Sequence, residues 1–167
     1  MNSAVAEPKV KPAQVQVAQL IRKELKRRGI TNATVRSAQG KVTISVEDLS
    51  PKLEKEIKTY VAQFERGHFC GYEDAYVNSN KNNSIPQVKF VFFSNTFSDE
   101  MRQKAYDVMQ ERSPKNYAFL PKEASKIFHY HQDLDHRSVN ETIDRVLRGK
   151  DILWSGYIWT NDELLDP

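Results

Sequence analysis

The chain has 167 residues, of which 39% are hydrophobic and 28% charged, and its formal net charge is +3. This composition excludes a disordered tail, a collagen-like fibre and a low-complexity linker, and no apolar run approaches the length of a membrane span. The single cysteine, Cys70, excludes an intramolecular disulfide and a multi-cysteine zinc site. Without a signal-peptide pattern at the N-terminus, we expect a soluble, reduced, cytoplasmic protein.

The first half of the chain predicts a helix, a hairpin and a second helix behind a flexible arm at residues 1–11. Apolar residues recur at helical spacing after Pro12, and Gly29 supplies a stop. Two β-branched runs on either side of Gly40 predict a hairpin. Ser50 as N-cap and Pro51 open a second helix, which we expect to close at Gly67. The expected core stripes are Val17, Leu20, Ile21, Leu25, Val42, Ile44, Val46, Leu53, Ile57, Tyr60, Val61 and Phe64.

Further strands and helices follow after residue 71. We expect strands over 72–77 and 87–94, separated by an exposed polar loop at 78–84, and a third helix capped by Ser98. Residues 114–136 have no clean period. Ser138 and Glu141 form a capping box for a helix to Arg148, and residues 152–159 are apolar enough for one closing strand.

This order predicts an α+β fold: an antiparallel sheet of about four strands with helices on one face, in the order α-β-β-α-β-β-α. A C-terminal helix and a possible extra strand follow. The corresponding segments are the arm at 1–11, an α+β domain at 12–112, and a C-terminal extension at 113–167 packed on the same domain.

Several spaced motifs resemble one family, the large polyvalent protein-associated domains of phages and conjugative elements. They are VAQLIRKELK at 17–26, VRS at 35–37, Phe64, GHFCGYEDAY at 67–76 and VKFVF at 88–92. The resemblance covers roughly residues 14–96. Cys70 and Tyr72 stand where that family usually has Asp and Met.

The resemblance implies a protein of mobile DNA, found in the company of proteins that defeat restriction or CRISPR immunity. It does not imply an enzyme, because no activity and no catalytic residues are assigned to the family. We assign no catalytic residue, no metal and no cofactor to the chain.

A basic cluster in the first helix is the main candidate for partner binding. It places five positive charges on about two turns, and like charges four residues apart repel each other. Binding to a polyanion or to an acidic protein surface would explain why the helix has these repelling charges. The alternative is that they only form a solvent-exposed helix face, where positive charge near the C-terminus interacts favourably with the helix dipole. With two residues of the hairpin, the candidates are Arg22, Lys23, Lys26, Arg27, Arg28, Arg36 and Lys41.

Two other groups of residues have a chemical and a structural interpretation. His68 and Cys70 suit a base and a thiol nucleophile, but no third orienting group is evident, so we favour Phe69 and Cys70 packing under the sheet. An extended segment would align four possible metal ligands on one face. Leu134 breaks the signature of metallo-β-lactamase-like hydrolases, which favours a polar loop. The four residues are His129, His131, Asp133 and Asp135.

Aromatic residues crowd the C-terminal third, where they fit a partner interface or an ordinary core equally well. They are Tyr117, Phe119, Phe128, Tyr130, Trp154, Tyr157 and Trp159.

Two functions are carried forward. The first is a non-enzymatic binding protein of a phage or mobile element that inhibits a host defence complex, in an anti-CRISPR or anti-restriction role. The alternative is a small nucleic-acid-binding module serving transfer or replication of the element. Steep weakening of binding by salt would favour nucleic acid over a largely apolar protein contact.

Overall fold

The computed structural model describes residues 11–112 and 139–149, together with the short strands at 152–154 and 157–159; of 108–112, 139–140 and these two strands it describes only the backbone. These residues form an α+β protein, which confirms the predicted class. The elements are α1 (Ala13–Arg27), β1 (Thr34–Ala38), β2 (Lys41–Glu47), α2 (Pro51–Ala62), β3 (His68–Cys70), β4 (Ala75–Val77), β5 (Phe90–Thr96), α3 (Asp99–Arg112), α4 (Val139–Leu147), β6 (Ile152–Trp154) and β7 (Tyr157–Trp159).

The main sheet has three strands in the order β1-β2-β5. β1 and β2 are antiparallel, as predicted, and Gly40 makes the turn between them at a φ of 71°. β5 runs parallel to β2. At the start of both strands the Gly40 oxygen accepts from the amides of Lys89 and Phe90, and at their ends the Asp48 amide donates to the Thr96 oxygen. The prediction of an antiparallel sheet is therefore correct for only one of the two strand pairs.

The predicted fourth strand, residues 72–77, is not part of this sheet. Residues 68–77 form a separate hairpin of β3 and β4, in which His68 pairs with Val77 and Cys70 with Ala75. Asp74 has a φ of 46° in the turn between the two strands. Because the turn reverses the chain there, Tyr72 lies in it with 98% of its surface exposed and is no strand residue.

Helix ends follow the predicted capping with one exception. The Ser50 and Ser98 hydroxyls each accept a bond of 3.2 Å from the amide three residues later, at Leu53 and Met101. Gly29 has a positive φ after α1, as a stop requires. Gly67, however, does not close α2, which ends at Ala62.

The chain divides into two compact units, each formed by two segments. The first consists of Met1–Val46 and Lys58–Ser94, and the second of Glu47–Ile57 and Asn95–Pro167. In the first unit, α1 packs on β1 and both contribute to its core. The buried apolar residues of this unit are Val17, Ala18, Ile21, Leu25, Ile30, Val35, Val42, Ile44, Val46, Val61, Phe64 and Val88.

In the second unit, α3 packs against α4. An ion pair of 2.5 Å between Arg102 and Asp144 joins the two helices, and Ala105, Ile143 and Leu147 are fully buried. The predicted single strand at 152–159 is wrong in detail, because the structure has two strands there, β6 and β7, which pair antiparallel.

Outside the described residues lie positions 1–10 of the predicted arm, the irregular segment at 114–136 and the Ser138 cap. None of the helices among the described residues has the length and apolar character to cross a bilayer.

Candidate functional site

Three of the five cations predicted to form a basic face on α1 are held by other groups of the protein. The Nη2 atom of Arg22 donates to the backbone oxygen of Val35, on the edge strand of the sheet, at 2.5 Å. Arg27 donates two bonds, of 2.6 and 2.8 Å, to the carboxylate of Glu24, and Arg28 donates a third of 2.7 Å. The cluster therefore contains its own counter-ion.

The environment of Glu24 keeps it ionised. Hydrogen bonds from Arg27 and then Arg28 lower the pKa of Glu24 to about 2. The negative charge of this residue is thus present at any physiological pH, and it offsets one of the five positive charges around it.

Lys23 and Lys26 are exposed on α1, as Arg22 and Arg27 are, but neither lysine forms an ion pair with the described carboxylates. Lys26 and Arg22 line an open pocket of about 290 Å³ with Val35 of β1. The positive charge available on α1 therefore lies beside the edge of the sheet.

The two candidates of the hairpin lie on the other side of the sheet. Val35 pairs with Ile44, and both side chains are buried on the side that α1 covers. Arg36 pairs with Thr43 and, by the alternation of a strand, points to the opposite side, as does Lys41. The structure therefore distributes the seven candidates over two surfaces.

The side of the sheet that carries Arg36 and Lys41 is exposed, and we call it the open face. The hydroxyls of Ser45 and Ser94 are 3.4 Å apart on this side, which fixes the orientation of β5. Residues two and four positions before Ser94 share its side, so Phe92 and Phe90 belong to the open face. Within the first unit, the open face consists of Thr34, Arg36, Ala38, Lys41, Thr43, Ser45, Phe90, Phe92 and Ser94. By the same alternation, the last residue of β2 on this side is the exposed carboxylate Glu47.

Aromatic rings form a continuous row at this surface. Phe90 and Phe92 have ring centroids 5.9 Å apart and planes inclined by 20°, and the edge of one ring in the Tyr76–Phe90 pair meets the face of the other at 5.4 Å. Phe92 is 51% exposed. We call Tyr76, Phe90 and Phe92 the ring row.

A lysine accompanies the ring row. The ammonium of Lys89 lies 5.0 Å from the ring centroid of Tyr76 and 5.4 Å from that of Phe90, within the range of cation–π attraction. The Tyr76 hydroxyl donates to the Lys89 backbone oxygen at 2.6 Å, which fixes the position of the tyrosine ring. Burial, followed by the charge of Glu65, raises the pKa of Tyr76, so its hydroxyl keeps the donated proton at neutral pH.

The ring row was not a candidate site from the sequence, where Phe90 and Phe92 belong to the predicted strand at 87–94 and to the motif VKFVF. The available signal was the strand KFVFF, which is aromatic on both of its sides. With helices on one side of the sheet only, one set of those rings had to face away from them.

His68 and Cys70 do not form the thiol–imidazole pair, the interpretation that the sequence disfavours. The Nδ1 atom of His68 lies 3.0 Å from the hydroxyl of Ser79, and Cys70 is half-buried on the same short strand. The prediction that Phe69 packs under the sheet is wrong, because 55% of its surface is exposed. A three-residue hairpin strand is too short to cover it.

The remaining candidate groups, the possible metal ligands at 129–136 and the C-terminal aromatic side chains, lie outside the part of the chain that the structure describes. Among the residues that are described, no three His, Cys, Asp or Glu side chains come together as a metal site would require. No family model, no curated protein and no solved structure matches this chain.

Proposed function

We propose that this chain is a non-enzymatic nucleic-acid-binding protein and that the open face is its binding surface. The observation that carries the proposal is the combination found there: a half-exposed phenylalanine in a row of rings, two exposed cations on the same side of the sheet, and Lys89 against the other two rings. Phe92 exposes half of its ring beside two further rings, and an apolar patch with polar residues around it is typical of an interaction site. A ligand that has both flat apolar faces and negative charge could stack on the rings and pair with the cations at the same time.

Nucleic acid has both properties. Arg and Lys side chains neutralise phosphates, and aromatic side chains stack on bases. Arg36 and Lys41 are exposed on the open face without an ion pair to the described carboxylates, and Lys89 lies at the ring row. The charge complementarity therefore favours nucleic acid over an uncharged or basic protein surface.

Inhibition of a host defence complex remains a second proposal, and the resemblance to the polyvalent family is its support. In that role the protein would act in the cytoplasm of the host cell, on an acidic protein surface or in a nucleic-acid channel of the complex. The open pocket beside Arg22 and Lys26 is the place where an acidic protein segment would fit.

The test is a fluorescence polarisation titration with a labelled oligonucleotide on the double variant Arg36→Glu/Lys41→Glu. Both side chains are exposed and hold no described partner, so the variant keeps its fold. We expect the affinity to fall by about tenfold or more, because two attractive phosphate contacts become repulsive.

The matched control is Lys52→Glu/Lys104→Glu, which changes the net charge equally at exposed lysines of α2 and α3. The proposal predicts a much smaller loss for this control. Equal losses in both double variants would show attraction by net charge alone, and the open face would then not be the binding surface.

A further inference from the structure

We infer that the ligand of the open face is a single-stranded nucleic acid whose bases stack on the ring row. This inference depends on the proposed function and adds the class of nucleic acid to it. Three geometric observations support it: the exposure of the Phe92 ring, the position of the cations and the contacts that hold the row.

The accessible ring surface selects single strands. In a duplex the base faces are covered by neighbouring base pairs, and only the base edges are presented in the grooves. A single strand exposes the faces of its bases, on which aromatic side chains stack regardless of sequence. The half-exposed ring of Phe92, nearly parallel to Phe90, offers such a stacking surface. A duplex has no free base face to stack on it.

The cations are placed beside the rings where a sugar-phosphate backbone would run. Lys41 follows Gly40, whose oxygen accepts from the Phe90 amide, so Lys41 lies next to Phe90 on the neighbouring strand. Two residues further on, Thr43 lies beside Phe92 in the same way, and Arg36 pairs with Thr43. The bases and phosphates of one strand would therefore meet rings and cations in adjacent rows.

Contacts within the protein also hold the ring row without a ligand. Phe90 and Phe92 are anchored by a strand of the sheet, and the hydroxyl of Tyr76 is bonded to the Lys89 backbone. A rigid row loses little conformational entropy on binding, which favours affinity.

The experiment compares Phe92→Leu with Phe92→Trp in binding to labelled oligothymidylate of about 15 nucleotides, a length within the range of single-strand sites. Leucine keeps the apolar bulk and removes the flat ring, while tryptophan keeps a ring that stacks. We expect about a tenfold loss of affinity for Phe92→Leu and no loss for Phe92→Trp. Leu20→Ala, which removes an exposed apolar side chain from α1, is the control and leaves the affinity unchanged.

A duplex of the same length separates this inference from the proposed function. We expect the wild-type protein to bind the single strand at least about tenfold more tightly than the duplex. Equal binding of both, with Phe92→Leu without effect, would overturn stacking and leave nucleic-acid binding in place. Binding of neither at low salt would overturn both proposals. A Phe92→Leu variant as active as the wild type would likewise contradict the ring row, because a contact by apolar bulk alone tolerates leucine.

Discussion

Asn95 is a buried polar residue whose side chain holds the segment before α2. Its amide nitrogen donates to the oxygen of Leu49 at 3.0 Å and to the carboxylate of Glu54 at 2.8 Å, and its amide oxygen accepts from the nitrogen of Leu49 at 3.2 Å. Only 5% of Asn95 is exposed. Three polar groups therefore depend on one side chain.

We predict that Asn95→Ala lowers the free energy of unfolding by about 2–3 kcal/mol, because buried backbone groups of Leu49 lose their partners. Urea denaturation measures the effect. Asn83→Ala, in the exposed polar loop, is the control and changes stability by less than about 0.5 kcal/mol. Equal midpoints for the two variants would contradict the role given to Asn95.

Gly67 is required by a close approach of the backbone. A Cβ atom added there would lie 1.8 Å from the oxygen of Val77, far inside the contact distance, whereas at Gly71 it would meet nothing within 4 Å. Val77 pairs with His68 next to Gly67, so the clash falls at the open end of the β3–β4 hairpin.

We therefore predict that Gly67→Ala destabilises the protein by about 2 kcal/mol or more, since backbone atoms must shift. Gly71→Ala is the matched control and should change the free energy of unfolding by well under half of that. Thermal unfolding of the two variants checks the difference, and similar melting temperatures would contradict it.

At the scale of the element, α1 carries an ion-pair cluster whose titration is unusual. The pKa of Glu24 is lowered to about 2 by its bonds to Arg27 and Arg28. Because the folded pKa lies below the ordinary value of 4.5, the stabilising contribution of the pair is complete above about pH 4.5 and is lost as the pH falls through 2.

We predict that the side-chain carboxyl of Glu24 titrates with a midpoint near 2 in an NMR pH titration of the folded protein. Arg27→Gln should raise this midpoint more than Arg28→Gln does, since Arg27 has the largest effect. A wild-type midpoint near 4.5 would show that the cluster does not form in solution.

The elements were predictable where a local rule sets them. Helical spacing and the caps at Ser50 and Ser98 place α1, α2 and α3, and the turn at Gly40 places the β1–β2 hairpin. Spacing alone does not decide which flank of a stripe is covered. Ala18 is buried beside Val17 and Ile21, whereas Leu20, on the opposite flank, is 38% exposed.

At the scale of the whole molecule, local sequence patterns do not determine which strands lie next to each other in a sheet. β5 lies beside β2 through contacts between residues about 50 positions apart, such as Asp48 with Thr96. Two turn residues close to each other, Gly71 and Asp74, redirect residues 68–77 into their own hairpin. The alternation of β5 predicts two faces, but only the sheet order shows that one of them is open.

The candidate site, like the fold, was predictable from local sequence only in part. Arg36 and Lys41 are candidates by their position in the hairpin, and both lie on the open face. Their charge alone does not show that they point away from α1, nor that Glu24 binds Arg27 and Arg28. The ring row depends on a non-local contact, that of Tyr76 with Phe90, and so could not be read from spacing.

The salt dependence of single-strand binding tests the central claim most directly. With Arg36, Lys41 and Lys89 each neutralising a phosphate, log Kd of the full chain for an oligothymidylate should rise linearly with log salt at a slope of about 2. Affinity would then fall roughly 20-fold between about 50 and 200 mM salt. An affinity that stays constant over this range would contradict binding of nucleic acid at the open face.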